Sequence, residues 1–126
     1  MIKCRTEISK KFRFEAAHHL PFVPVGHKCG RIHGHSFCAN ITIGGPMDEK
    51  LGWLMDFADL KAIIEPFIMM LDHNYLNDIE GLENPTSENV ALWLVQKITP
   101  LLQNVHLVSI GVSETCESSC TVYVES

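Results

Sequence analysis

Residues 6 to 17 alternate in character: Ile8, Phe12, Phe14 and Ala16 fall on one side, and Glu7, Ser9, Lys11, Arg13 and Glu15 on the other. Lys10 is the single misfit. Successive side chains of a strand point to opposite faces, so this period predicts a half-buried antiparallel strand. Continuing the phase places His18 on the apolar side and His19 on the polar side, and Pro21 and Pro24 stop the strand. A second alternating stretch, Ser36 to Gly44, puts Phe37, Ala39, Ile41 and Ile43 on one face and Ser36, Asn40 and Thr42 on the other. His33 and His35 stand in phase with that apolar face, at its entrance, and Gly34 between them is expected to leave room for close approach.

The period then changes. After the turn cluster Gly44-Gly45-Pro46-Met47-Asp48, the residues Phe57, Leu60, Ile63, Ile64, Phe67, Ile68 and Leu71 recur at helical spacing. Asp56 is placed to cap this helix and Asp59 to complement its dipole, while Pro66 is expected to kink it or break its hydrogen bonding locally. Pro85-Thr86-Ser87-Glu88 opens a second helix, with Thr86 or Ser87 as its cap. Val90, Trp93, Leu94, Ile98, Leu101 and Leu102 form its apolar side, and Pro100 weakens its end. His106 to Thr115 reads as a third strand, with Val108, Ile110 and Val112 on one face and Glu114 continuing that phase. Cys120 to Glu125 reads as a fourth, through Val122 and Val124. Strand, strand, helix, helix, strand, strand predicts an α+β domain over residues 1–126: a four-stranded antiparallel sheet with two helices on one face. The sheet edges would stay open unless protomers associate.

Composition narrows the function class. At 126 residues and 46% apolar content, the chain suits one domain with a core. No apolar run approaches the roughly 20 residues needed to span a bilayer, and Met1 to Glu7 lacks an apolar signal core, which predicts a cytoplasmic protein without a membrane partner. The five cysteines are odd in number and irregularly spaced, so a disulfide framework is not expected. A formal charge of −5 gives no reason to expect nucleic-acid binding. Lys28 and Arg31 nevertheless gather local positive charge for an anionic small molecule, although exposed bases are usually only solvated.

Candidate chemistry concentrates in His27-Lys28-Cys29-Gly30-Arg31-Ile32-His33-Gly34-His35. Two histidines at i, i+2 on one strand face suit a metal site, because neutral imidazole is a good Zn²⁺ ligand; alone, the pattern fits a polar loop equally well. His18, arriving on the equivalent face of a neighbouring strand, makes three convergent histidines and leaves a fourth tetrahedral position open, as catalytic zinc sites do. Asp72 beside His73 is either an acid–base pair or a helix-terminal histidine with a solvated carboxylate. Glu114 ends an apolar face and needs a partner: it either bonds the amide-like edge of a heterocycle or turns to solvent. Cys116 and Cys120 lack a second cysteine pair to complete a metal site, and Cys4 and Cys38 read as structural.

The segments Phe14-Glu15-Ala16-Ala17-His18, His27 to His35, Asp56-Phe57-Ala58-Asp59-Leu60-Lys61, Leu71-Asp72-His73, Asn84-Pro85-Thr86-Ser87-Glu88-Asn89 and Glu114-Thr115 occur in one order along nearly the whole chain. Together they resemble the 6-pyruvoyltetrahydropterin synthase family, most closely its bacterial 6-carboxytetrahydropterin synthase branch of queuosine (7-deazaguanine) biosynthesis. The Cys-x3-His-Gly-His spacing is similar to that branch. The resemblance implies a tunnelling fold in which sheets of three protomers join into a barrel and two barrels stack as a homo-hexamer, with sites between subunits. It implies zinc on His18, His33 and His35, with Cys29 as proton acceptor and Asp72 and His73 as its relay. Glu114 would anchor the pterin and share in proton transfer, Thr86 would contact substrate, and Lys28 and Arg31 would hold its phosphates. The implied reaction converts 7,8-dihydroneopterin triphosphate to 6-carboxy-5,6,7,8-tetrahydropterin, acetaldehyde and triphosphate. Two other readings stand beside it. One is a pyruvoyl synthase that omits the carbon–carbon cleavage. The other is a non-catalytic zinc- or pterin-binding assembly protein, against which Cys29 argues, since a structural zinc site closes its fourth position with protein.

Overall fold

A computed structural model describes residues 1–125. β1 (Thr6–His18) and β2 (His33–Gly45) form an antiparallel pair in register from Thr6 opposite Gly45 to His18 opposite His33. β2 therefore begins earlier than its alternation alone indicates, and both of its histidines are strand residues. α1 (Phe57–Leu71) follows, then a two-residue strand β3 (Asn74–Tyr75), α2 (Ser87–Ile98), β4 (His106–Ser113) and β5 (Cys120–Tyr123). The sheet order is β3-β1-β2-β4-β5. The expected four antiparallel strands are present, but β3 adds a fifth, parallel to β1, so the sheet is mixed. Two residues carry too little alternation to signal a strand; pairing with Ala16 and Ala17 creates it.

Both helices cover one face. Phe12, Phe14, Phe37, Ala39, Ile41 and Ile43 from β1 and β2 are buried against Leu60, Ile64, Ile68 and Leu71 of α1 and Val90, Trp93, Leu94 and Ile98 of α2. Each fully buried Val, Leu, Ile or Phe among them contributes about 1.5–3 kcal/mol by leaving water. Lys10 lies half-buried on this face near its end, with its ammonium 5.8 Å from the Phe12 ring. Asp56 caps α1 by accepting from Ala58 N, and Thr86 caps α2 by accepting from Asn89 N.

Pro66 forfeits one bond toward Ala62 O, the local break in hydrogen bonding expected of it, and α1 runs on through it because buried side chains on both sides hold the helix on the sheet. Several other expectations need correction. Phe57 and Leu101 are exposed, since each sits at an element end beyond the sheet. On β4 it is Leu107, not Val108, that is fully buried. A bulge opposite Thr42/Ile43 skips one residue, so the phase of Ile110 and Val112 does not extend back to Val108. β5 ends at Tyr123, short of the expected Glu125. Beyond its chain neighbours, a Cβ on Gly34 would meet Ala16 O at 3.6 Å, an ordinary contact.

Candidate metal and substrate site

The site grows from the strand register. His18 pairs with His33 and Ala16 with His35, so the three imidazoles meet at one end of the apolar face. Phe14 and Phe37 stack beneath them with centroids 5.0 Å apart, and His18 and His35 stand edge-on to Phe37. One nitrogen from each of His18, His33 and His35 lies within 4.8 Å of the others.

Backbone carbonyls decide which nitrogens are free. His18 Nδ1 donates to Pro85 O at 2.8 Å, and His33 Nδ1 donates to Arg31 O at 2.7 Å. A carbonyl only accepts, so in the neutral ring each Nε2 keeps its lone pair. His18 Nε2 and His35 Nε2 are buried without a hydrogen-bond partner. Burial pushes the His18 pKa below its ordinary value, against the pull of the Pro85 carbonyl and Glu114, and the other two histidines lower it further. Three converging imidazole nitrogens, those of His18 and His35 buried without a hydrogen-bond partner and the rings of His18 and His33 backed by carbonyls, match the donor set of a three-histidine zinc centre.

Glu114 arrives from the end of β4, where it extends the inward phase of Ile110 and Val112. Its carboxylate stands 3.5 Å from His35 Nε2 and 4.0 Å from His18 Nε2. The Ser87 hydroxyl, on the first residue of α2, donates to Glu114 Oε1 at 2.9 Å. Glu114 faces the histidines and Ser87 while its side chain stays 29% exposed. Glu114, Thr86, Ser87, Glu88 and Cys120 line a groove of about 490 Å³, so Thr86 and Glu114 share one cavity. Burial, followed by Glu88 and Glu114, pushes the Cys120 thiol pKa up, which keeps it neutral beside the groove. Ser87 is a site residue that the sequence indicated only as a possible helix cap.

Asp72 and His73 form a second cluster. Asp72 Oδ2 lies 3.0 Å from His73 Nδ1, and Asp72 Oδ1 accepts the Glu15 amide at 2.8 Å. The Glu15 amide, then His73, holds the Asp72 carboxyl below its usual pKa. His73 adopts φ 57°, the left-handed region that costs a non-glycine residue energy, and its N–H donates to Glu15 O. His73 lines a groove of about 520 Å³ together with Glu15, His35, Ser36 and Tyr75. Cys29 lies half-buried on a 3-10 turn, Lys28–Gly30, held by Leu20 N to Cys29 O and Cys29 N to His27 Nδ1. Among the described residues, no hydrogen bond or ion pair joins Cys29 to Asp72 or His73. Lys28 and Arg31 are exposed; Arg31 lines a further groove of about 420 Å³ with His19 and His27. His19 points away from the triad, as its phase requires, and its Nδ1 bonds the Tyr75 hydroxyl.

Comparison with known proteins extends this picture. The 6-pyruvoyl tetrahydropterin synthase family profile matches residues 7–125. The chain is 41% identical to a Synechocystis 6-carboxy-5,6,7,8-tetrahydropterin synthase, over 92% of each chain. It is 40% identical to a protein of Archaeoglobus fulgidus named as a putative enzyme of the same kind, over 80% of this chain and 83% of the relative. The solved 6-pyruvoyl tetrahydropterin synthase of Caenorhabditis elegans superposes with a TM-score of 0.87 at 25% identity, covering 97% of both chains. With the profile spanning both helices and all of the sheet but Thr6, the chain belongs to the 6-pyruvoyl tetrahydropterin synthase family.

Proposed function

We propose that the chain is a zinc-dependent lyase converting 7,8-dihydroneopterin triphosphate and one water to 6-carboxy-5,6,7,8-tetrahydropterin, acetaldehyde and triphosphate, in queuosine biosynthesis. The observation that carries this reading is the triad of His18, His33 and His35, its free nitrogens converging beside Glu114 at the rim of a groove. The 41% identity to a named 6-carboxy-5,6,7,8-tetrahydropterin synthase supports the choice of product.

Each residue has a task. The three histidines hold the ion. When bound, zinc supplies Lewis-acid polarisation of side-chain oxygens. Glu114, steadied by Ser87, accepts the N–H edge of the pterin and shares in proton transfer, and Thr86 lies along the same groove. Cys29 removes a carbon-bound proton, and Asp72 with His73 carries it onward. Lys28 and Arg31 offer charge to the triphosphate. Hydrogen moves from side chain to ring, so no external redox cofactor is required.

Cys29 and the Asp72–His73 pair have separate anchors within one chain, and the sheet ends in short edge strands of two and four residues. The separate anchors fit a site shared between copies, and with the family likeness we read a homo-hexamer of two stacked trimers, with Cys29 of one copy completed by the relay of a neighbour. Among the described residues, no helix is long and apolar enough to cross a membrane; the cytoplasmic location belongs to the proposed pathway role.

Product analysis tests the reading. Purified protein loaded with zinc and given 7,8-dihydroneopterin triphosphate should release the 6-carboxy product and trappable acetaldehyde. A 6-pyruvoyl product without acetaldehyde would assign the sister activity. Tight pterin binding without turnover would leave a binding protein.

A further inference from the structure

The segment from Asp72 to Asn77 lies along β1 from Glu15 to His19. At one end, Asp72 and His73 grip the Glu15 amide and carbonyl. In the middle, Asn74 and Tyr75 pair with Ala16 and Ala17. At the other end, Asn77 Oδ1 accepts His19 N–H at 3.0 Å and Asn77 Nδ2 donates to His19 O at 2.9 Å. The Asn77 amide thus mimics a strand neighbour for the peptide just past the end of β1. Tyr75 adds a hydroxyl contact to His19 Nδ1, and the two rings stack with centroids 5.9 Å apart.

The next residue bears on the chemistry. Leu20 N–H donates to Cys29 O at 2.7 Å. The remaining backbone bonds of this turn are internal to its loop, His27 to Pro24, Gly30 to His27 and Arg31 to Lys28, and the Arg31 carbonyl also accepts from His33 Nδ1, so the loop is held to the site from two sides, at Leu20 and at His33. The geometry points to Asn77 as a positioning residue that sets Cys29 against the metal triad, acting through His19 and Leu20. The inference rests on the proton-acceptor role proposed for Cys29. Asparagine suits the task because one amide supplies both a donor and an acceptor, whereas aspartate supplies acceptors only. An error of about 1 Å in the placement of a reacting group can cost on the order of 10²-fold in rate.

The test compares Asn77→Ala, Asn77→Asp and Tyr75→Phe in the zinc-loaded protein. Three quantities are read: zinc content, kcat and KM with 7,8-dihydroneopterin triphosphate, and the iodoacetamide alkylation rate of Cys29 relative to exposed Cys116, by peptide mass spectrometry. Asn77→Ala should keep zinc and KM while kcat falls roughly 10–100-fold. Its Cys29-to-Cys116 alkylation ratio should rise severalfold. Asn77→Asp, keeping half the clamp, and Tyr75→Phe, keeping both amide bonds, should fall between it and the parent, and they carry the test if Asn77→Ala does not fold. An unchanged alkylation ratio at full zinc content overturns the inference, as does a raised KM with unchanged kcat. If the parent protein forms no product, the proposed function fails, and the alkylation ratio alone still judges the clamp.

Discussion

His18 Nδ1 donates to the carbonyl of Pro85 at 2.8 Å, across 67 residues of chain. This bond ties the end of β1 to the residue preceding the Thr86 cap of α2. It also leaves His18 Nε2 as the nitrogen facing Glu114. His18→Ala, His33→Ala and His35→Ala should each lose bound zinc and activity. His19→Ala should keep zinc, because its ring bonds Tyr75 instead. Elemental analysis decides the matter: zinc kept by His18→Ala and lost by His19→Ala would refute the triad.

Cys29→Ala should retain zinc and pterin affinity, since the three histidines and Glu114 remain. Its turnover should fall roughly 10²–10⁴-fold, the usual contribution of a positioned acid–base group. Loss of zinc in this variant would make the thiol a ligand. Unchanged turnover would shift the base role to His73.

Glu114→Gln replaces a charged acceptor with an amide that also presents donors. Hydrogen bonds to charged groups contribute about 1.5–3 kcal/mol, so pterin affinity should fall roughly 10–100-fold. Ser87→Ala leaves the carboxylate in place but removes its 2.9 Å donor, and a several-fold loss is expected. Calorimetric titration with a pterin that cannot turn over measures both. Equal affinity for Glu114→Gln and the parent would remove Glu114 from the pterin subsite.

Strand period accounts for much of this site before any coordinates. The same alternation that buries Phe14 and Phe37 carries His18 and His35 to the rim, and that of Ile110 and Val112 carries Glu114 there. Ser87, Tyr75 and Asn77 were not legible, because their roles depend on partners distant in sequence: Glu114 for the first and His19 for the others. The bulge that exchanges Val108 for Leu107 was hidden for the same reason, since it exists only in the pairing of β4 with β2. Family likeness added the roles of Cys29 and the Asp72–His73 pair, for which residue pattern alone left alternatives open.

Acidity provides a separate test of the Asp72 cluster. The Glu15 amide and His73 lower the Asp72 pKa from its ordinary 3.8. As pH falls, the unfolded chain protonates this group first. The stability it contributes is therefore fully present above 3.8 and lost as pH falls through the depressed value. Asp72→Asn should be less stable than the parent near neutrality, and the gap should narrow in acid below 3.8. Denaturant midpoints across that range read the difference. A constant gap would mean that Asp72 acts through shape rather than charge.

The assembly can be tested through complementation. Cys29 hangs from Leu20, while Asp72 and His73 are fixed to Glu15. If neighbouring copies bring the two together, Cys29→Ala and His73→Ala proteins, each inactive alone, should recover activity when dissociated, mixed and reassembled. With random equal mixing, a site is intact when one copy keeps Cys29 and its neighbour keeps His73, about one quarter of all sites. Sedimentation should show a trimer or hexamer throughout. If native mass spectrometry confirms mixed assemblies and turnover stays at background, each site is built within one chain, and the copies associate without sharing it.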